Sequence, residues 1–254
     1  MIGTVIAIAR NTFLETIRDR ILNAILVFAV VLIGSSILLG QLSAGQDVKI
    51  IKDLGLAALG FFGVIIAVFV GTSLVHKELD KRTVFVVLTK PVPRAAFLVG
   101  KYVGLMMTLT VLTAAMGLAY LGLLALLRVE IHLGMFQAIG FAWLELVLLT
   151  SLTLLFSTFT TPVLCMLYSF ALYFIGHNLA TFKDLAMKSA PGVREVLLAL
   201  YYVLPNLTLF DIKNQVVYGY ASPAGQVVAV TAYAFAYSAA VFCVAALIFR
   251  RREF

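Results

Sequence analysis

Residues Leu54–Val75 read LGLAALGFFGVIIAVFVGTSLV, and the chain then continues as His76-Lys77-Glu78-Leu79-Asp80-Lys81-Arg82. The first stretch carries no charge and, at about 1.5 Å per helical residue, is long enough to cross a hydrocarbon layer of about 30 Å. Every backbone N–H and C=O in lipid must be satisfied within its own segment, so this stretch is expected to be a transmembrane helix. The charged run that follows opens an aqueous loop. Five more apolar stretches surround this pair: Ile21–Leu42, Tyr102–Leu127, Phe136–Phe159, Pro162–Thr181 and Val227–Phe249. Among all six, Glu145 is the one Asp, Glu, Lys or Arg. The sequence therefore predicts an all-α integral membrane protein with six transmembrane helices, forming a single transmembrane domain over residues 1–254.

Composition supports the same class. Hydrophobic residues make up 63% of the 254 residues and charged residues 12%, which excludes an ordinary soluble domain. The net charge of +7 is read as topology rather than nucleic-acid binding, because Lys and Arg accumulate on cytoplasmic loops. With the N-terminus inside, the inner segments hold Arg10, Arg18, Arg20, Lys77, Lys81, Arg82, Lys90, Arg94, Lys101, Arg250, Arg251 and Arg252. The outer segments hold Lys49, Lys52, Arg128, Lys183, Lys188, Arg194 and Lys213. Twelve against seven accounts for all 19 basic residues and places both termini in the cytoplasm. The two cysteines, Cys165 and Cys243, lie in apolar runs without metal or disulfide spacing. They read as small buried hydrophobes. The scattered methionines and histidines form no metal pattern, and no metal site is expected. The first apolar run is longer than a signal peptide core and is expected to stay as an anchor.

Two flanking segments are neither span nor simple loop. In Met1–Arg20, Ile2, Val5, Ile6, Ala9, Phe13 and Ile17 share one helical face and Asn11, Glu15 and Arg18 another. This predicts either an interfacial helix at the headgroup boundary or a cytoplasmic extension of the first span. Between spans five and six, residues 182–226 contain a helical pattern over Val193–Val203, a break at Pro205-Asn206 and a second short piece over Leu207–Tyr218. Each piece is too short to span and suits an outer re-entrant pair. Ala229, Ala232, Ala236 and Ala240 in span six, and Ala57, Gly60, Gly63, Ala67 and Gly71 in span two, mark faces for close helix packing within one chain or between two.

The inner loop, residues 76–101, carries the most specific motif. Glu78-Leu79-Asp80-Lys81-Arg82-Thr83, Leu88-Thr89-Lys90-Pro91-Val92-Pro93-Arg94 and Phe97-Leu98-Val99-Gly100-Lys101-Tyr102-Val103-Gly104 resemble the signature loop of ABC-2-type permeases, the membrane subunits of ATP-binding-cassette exporters. Tyr202-Val203-Leu204-Pro205-Asn206-Leu207 with Phe210-Asp211 resembles that family's outer segment, and Lys90-Pro91-Val92 with Arg94 leans toward its multicopper-enzyme-maturation branch. Arg82 departs from the family, which commonly has Gly there. The resemblance implies a permease that works with a second permease copy and separate ABC ATPase subunits in the cytoplasmic membrane of a prokaryote. ATP and magnesium would then reside on the ATPase, with no cofactor on this chain. No GxxxxGK[ST] phosphate loop occurs in the sequence, so the chain is not expected to be an enzyme and has no catalytic candidate. Thr83–Leu88 can form a short helix stopped by Pro91 and Pro93. The resemblance makes it the coupling helix, with Glu78, Lys81, Arg82, Thr83, Phe85, Leu88, Lys90 and Arg94 as ATPase-docking residues in a helix-in-groove contact.

Glu145, inside Trp143-Leu144-Glu145-Leu146-Val147, and His177, late in span five, are the candidate residues of a translocation path. Spans four and five run antiparallel, so both belong to the outer half of the bilayer and can pair. An intramembrane acid costs several kcal/mol unless it is paired or faces water. The pair is read either as a polar or protonatable spot on a cargo path or as a structural contact between helices. An ion-driven secondary transporter and a non-transporting assembly factor remain the alternative functions. The first would need inverted repeats, which the sequence does not display.

Overall fold

A computed structural model describes residues 2–41, 47–80 and 94–251. Their helices are α1 (Ile2–Ile17), α2 (Arg20–Gln41), α3 (Asp47–Asp80), α4 (Arg94–Leu126), α5 (Leu133–Ser157), α6 (Pro162–His177), α7 (Leu179–Lys188), α8 (Pro191–Val203), α9 (Lys213–Val217) and α10 (Ala224–Arg251), with a 3-10 turn at Leu207–Phe210. Among the described residues no strand occurs. Four helices carry apolar runs long enough to cross a membrane: Asp47–Ser73, Ala96–Leu126, Leu133–Ser157 and Ala224–Ile248. Three further pairs qualify only when taken together: α1 with α2, bent by 59°, α6 with α7, bent by 66°, and α8 with residues 207–217, bent by 41°. Among the described residues, helices long and apolar enough to cross therefore number four, or up to seven if each bent pair is one span. The six expected from the sequence fall within that range.

Local chemistry sets the ends of these helices. Proline at the first position, where its missing N–H costs nothing, opens α6 at Pro162 and α8 at Pro191. Arg128 closes α4 in the left-handed region at φ 56°. There the Val129 N–H reaches the Leu124 carbonyl at 2.9 Å and the Arg128 N–H the Ala125 carbonyl at 3.1 Å. This is a Schellman cap built on a non-glycine residue. Several serine and threonine hydroxyls inside the helices donate to carbonyls one turn back, as Thr150 does to Leu146 and Thr153 to Leu149. No polar partner from outside the helix is then needed in an apolar setting.

Helices α3 and α5 form the buried centre, while α4 and α10 are peripheral. The glycines of α3 explain how closely it meets α5. A Cβ on Gly63 would lie 2.8 Å from Leu146, and one on Gly71 would lie 2.9 Å from Thr153. The small-residue stripe of span two thus serves packing within the chain. The stripe of span six does not: Ala229, Ala232, Ala236 and Ala240 are exposed, and α10 packs through Val230, Ala234, Ser238, Val241 and Ala245. Buried Cys165 accepts a hydrogen bond from Thr72 and donates one to the Thr153 carbonyl, both at 3.3 Å, tying α3, α5 and α6 together.

Helix α1 lies against the start of α4. Its packing face is Val5, Ile8, Ala9, Thr12 and Thr16, and Ile6 is 61% exposed. The apolar face read from the sequence is therefore split, with one edge against protein and Ile6 left outward. A Cβ on Gly104 would sit 2.6 Å from the Ala9 carbonyl oxygen, and one on Gly100 would sit 2.8 Å from Ile8. Glycine at both positions allows backbone-to-backbone approach.

The start of α3, the α4–α5 turn and residues 178–223 gather at one end of the bundle. Lys49 donates to the Tyr218 hydroxyl at 2.7 Å, and the Gln137 amide exchanges hydrogen bonds with the Ser222 backbone at 2.8 and 3.1 Å. At this capped end, α8 packs on α7 across a two-residue turn, whereas the chain from Leu207 onward enters the bundle. Leu207, Phe210, Ile212 and Val216 are all buried. The two short pieces read from the sequence thus have different partners.

Candidate functional site

Glu145 sits twelve residues from the start of α5, about 18 Å along it at 1.5 Å per residue. It is only 6% exposed. His177 is the last residue of α6, where the 66° bend toward α7 begins. The two side chains meet: His177 Nε2 lies 3.4 Å from Glu145 Oε1. An acid in the middle of a buried helix thus finds an imidazole from the neighbouring helix, which reduces its cost in an apolar setting.

The second ring nitrogen determines which protons this contact can hold. His177 Nδ1 lies 3.3 Å from the Tyr173 carbonyl oxygen. A carbonyl only accepts, so Nδ1 carries a hydrogen. Nε2 is then either a bare acceptor, which needs a protonated Glu145, or a donor in an imidazolium facing a carboxylate. In both cases the pair carries one further proton, across a contact of 3.4 Å that is longer than a usual hydrogen bond. Tyr173 also packs its ring against the imidazole, with centroids 4.6 Å apart.

A third element closes over this pair. Lys213, the first residue of α9, reaches into the bundle, and its ammonium lies 3.5 Å from where a Cβ of Gly60 would stand. Lys213 and Glu145 line the same small cavity, with Leu56, Leu59, Gly60, Ala138, Ala142, Phe210 and Ile212. Asp211 lies 4.0 Å from the Lys213 ammonium, and its carboxylate accepts from the Lys213 backbone N–H at 3.3 Å. The segment is held on its other side by α10. The Asn206 N–H donates to the Tyr233 hydroxyl at 2.8 Å, and the Tyr237 hydroxyl donates to the Val203 carbonyl at 2.8 Å. Leu207 and the Pro205 carbonyl press on Gly176, where a Cβ would meet them at 2.7 and 2.9 Å. Glu145 and His177 thus meet inside the bundle, with Lys213 beside Glu145 in the cavity and the more exposed Asp211 next to Lys213.

Reading the sequence singled out Glu145 and His177, which the fold joins, but not Lys213 or Asp211. The available signal was a lysine and an aspartate beside Phe210 and Ile212 in a segment too apolar for a loop. Of the inner-loop residues, Lys81, Arg82, Thr83, Phe85, Leu88 and Lys90 lie outside the described residues. Glu78 and Arg94 stand near the facing ends of α3 and α4, the helices that lead into and out of that loop. Among the described residues no group of His, Cys, Asp and Glu could hold a metal ion.

Long apolar helices, a glycine-packed centre and a buried ionisable cluster define a multi-pass membrane protein of helical-bundle type. The model of the family described as ABC-2 family transporter protein matches residues 6–254, and the chain belongs to that family. Among curated proteins none matches the chain.

Proposed function

We propose that this protein is the permease subunit of an ATP-binding-cassette exporter, coupling ATP hydrolysis on a separate ATPase chain to movement of a cargo across the membrane. The observation that carries this reading is the family match over residues 6–254. A chain without a phosphate loop needs a partner to supply ATP. The inner segment of residues 76–101 is the docking element, with Phe85 and Leu88 as apolar anchors between charged flanks. Both termini and this loop face the cytoplasm of a prokaryotic cell, and a second permease copy completes the transporter. The 207–217 segment lies over the outer end of the path, and Glu145 and His177 line it.

Purification of the tagged chain in mild detergent is expected to bring a stoichiometric ATPase carrying a phosphate loop. In the reconstituted complex, Phe85→Ala with Leu88→Ala is expected to abolish the permease's effect on ATP hydrolysis while leaving the permease folded. Each truncation removes about 1.5–3 kcal/mol of apolar burial, so docking weakens by about two orders of magnitude or more. Unchanged ATPase stimulation in the double variant would rule out this docking element. A chain recovered alone, under conditions that preserve other ABC complexes, would overturn the exporter reading.

A further inference from the structure

Glu145 and the 207–217 segment share the small cavity beside Gly60, and His177 contacts Glu145 from α6. The groups around it can be named element by element. From α6 come His177 and Tyr173, and from the segment Asp211 and Lys213. The facing residues of α3, Leu56, Leu59 and Gly60, do not titrate, with Lys52 and Asp53 one turn nearer the capped end. Helix α4 places the Tyr102 hydroxyl on the Val147 carbonyl and the Tyr120 hydroxyl on the Lys52 carbonyl, and α10 packs Tyr233 on Phe210. Lys213 is the cation that the segment itself brings to this cavity.

With Nδ1 of His177 carrying its hydrogen against Tyr173, the pair holds none, one or two further protons. Its charge is then −1, 0 or +1. With none, the carboxylate attracts the Lys213 ammonium. With one, the pair is neutral overall. With two, an imidazolium stands beside the Glu145 that lines the cavity of the Lys213 ammonium, with the more exposed Asp211 as the counter-charge, and charges interact strongly where water is scarce. We infer that the Glu145–His177 pair is a proton-binding site that controls how firmly residues 207–217 are seated in the bundle. Each proton it takes up raises the charge facing Lys213 by one, so acidification loosens the segment. That this loosening opens a cargo exit rests on the exporter reading, but the electrostatic seat does not.

The test is hydrogen–deuterium exchange on the full-length chain in nanodiscs of neutral lipid, with rates corrected for the intrinsic pH dependence of exchange. It compares about pH 8 with about pH 5.5, the range in which histidine ordinarily titrates. Peptides spanning 204–218 are expected to lose at least about tenfold in protection on acidification, the effect of about one charge contact, while peptides of α5 stay protected. Lys213→Met is expected to remove this pH response. Glu145→Gln is expected to leave the segment loosely protected already at the alkaline end. A pH-independent wild type would overturn the proposal, as would a full response retained in Lys213→Met or a Glu145→Gln protein as protected as wild type at pH 8. Lys213 is 29% exposed in its side chain, so its variant keeps the test decisive if Glu145→Gln fails to fold. No ATPase takes part in the assay, so its failure and the failure of the exporter reading are separate results.

Discussion

Gly104 shows how much a single hydrogen in place of a methyl group can decide. A Cβ there would stand 2.6 Å from a backbone oxygen of α1 and equally close to Thr12, and backbone cannot swing aside as a flexible side chain can. Gly104→Ala is therefore expected to push α1 off α4, at about 1–3 kcal/mol for an overpacked contact. A lower melting temperature should accompany it, with faster tryptic cleavage at Arg10 in native membranes. Unchanged cleavage would mean that α1 is held elsewhere. Gly176 obeys the same logic at the other end of the bundle. Its replacement by alanine would collide with Leu207 and the Pro205 carbonyl, so protection of residues 204–210 in hydrogen exchange should fall more than that of α5.

At the scale of elements, the 204–217 segment is anchored by two tyrosines one turn apart on α10. Tyr233→Phe leaves the Asn206 N–H without its acceptor, and Tyr237→Phe leaves the Val203 carbonyl without its donor. An unsatisfied buried polar group costs about 1–3 kcal/mol. Tyr233→Phe is thus expected to raise exchange at Asn206 and Leu207 by about tenfold or more. Tyr237→Phe, at a more exposed bond, should do less. Equal small effects from both would mean that Leu207 and Phe210 alone hold the segment by apolar burial.

For the whole molecule, the orientation proposed from the Lys and Arg distribution makes a topological prediction. In a variant lacking native thiols through Cys165→Ser and Cys243→Ala, a cysteine placed at Lys188 should react with an impermeant maleimide from outside intact cells. A cysteine placed at Arg251 should react only after permeabilisation. Serine at position 165 is chosen because it keeps a donor toward Thr153 and an acceptor for Thr72. Labelling of both positions from the same side would require an even number of crossings between them and would overturn the proposed orientation.

Fold class was legible because it follows from quantities carried by the chain itself. Long uncharged stretches such as Leu54–Val75 have no way to satisfy their backbone in lipid except as helices, although the helix itself begins earlier and runs on through the first charged residues, from Asp47 to Asp80. Glu145 stood out for the same local reason, as an acid inside an apolar helix. Its pairing with His177 was within reach, because antiparallel neighbours place both near the same depth. Lys213 was not legible. Its meeting with Glu145 depends on a glycine at position 60, on where the chain turns after Pro205, and on two tyrosines of α10 that hold that turn. The facing of small residues was likewise beyond the sequence. Stripes on α3 and α10 look alike in composition, yet Gly63 and Gly71 are buried against α5 while Ala232 and Ala236 remain exposed. Hydropathy and backbone hydrogen bonding act along the chain and determine helices from sequence alone. Which faces touch is a property of packing among distant segments, and only the tertiary structure decided it.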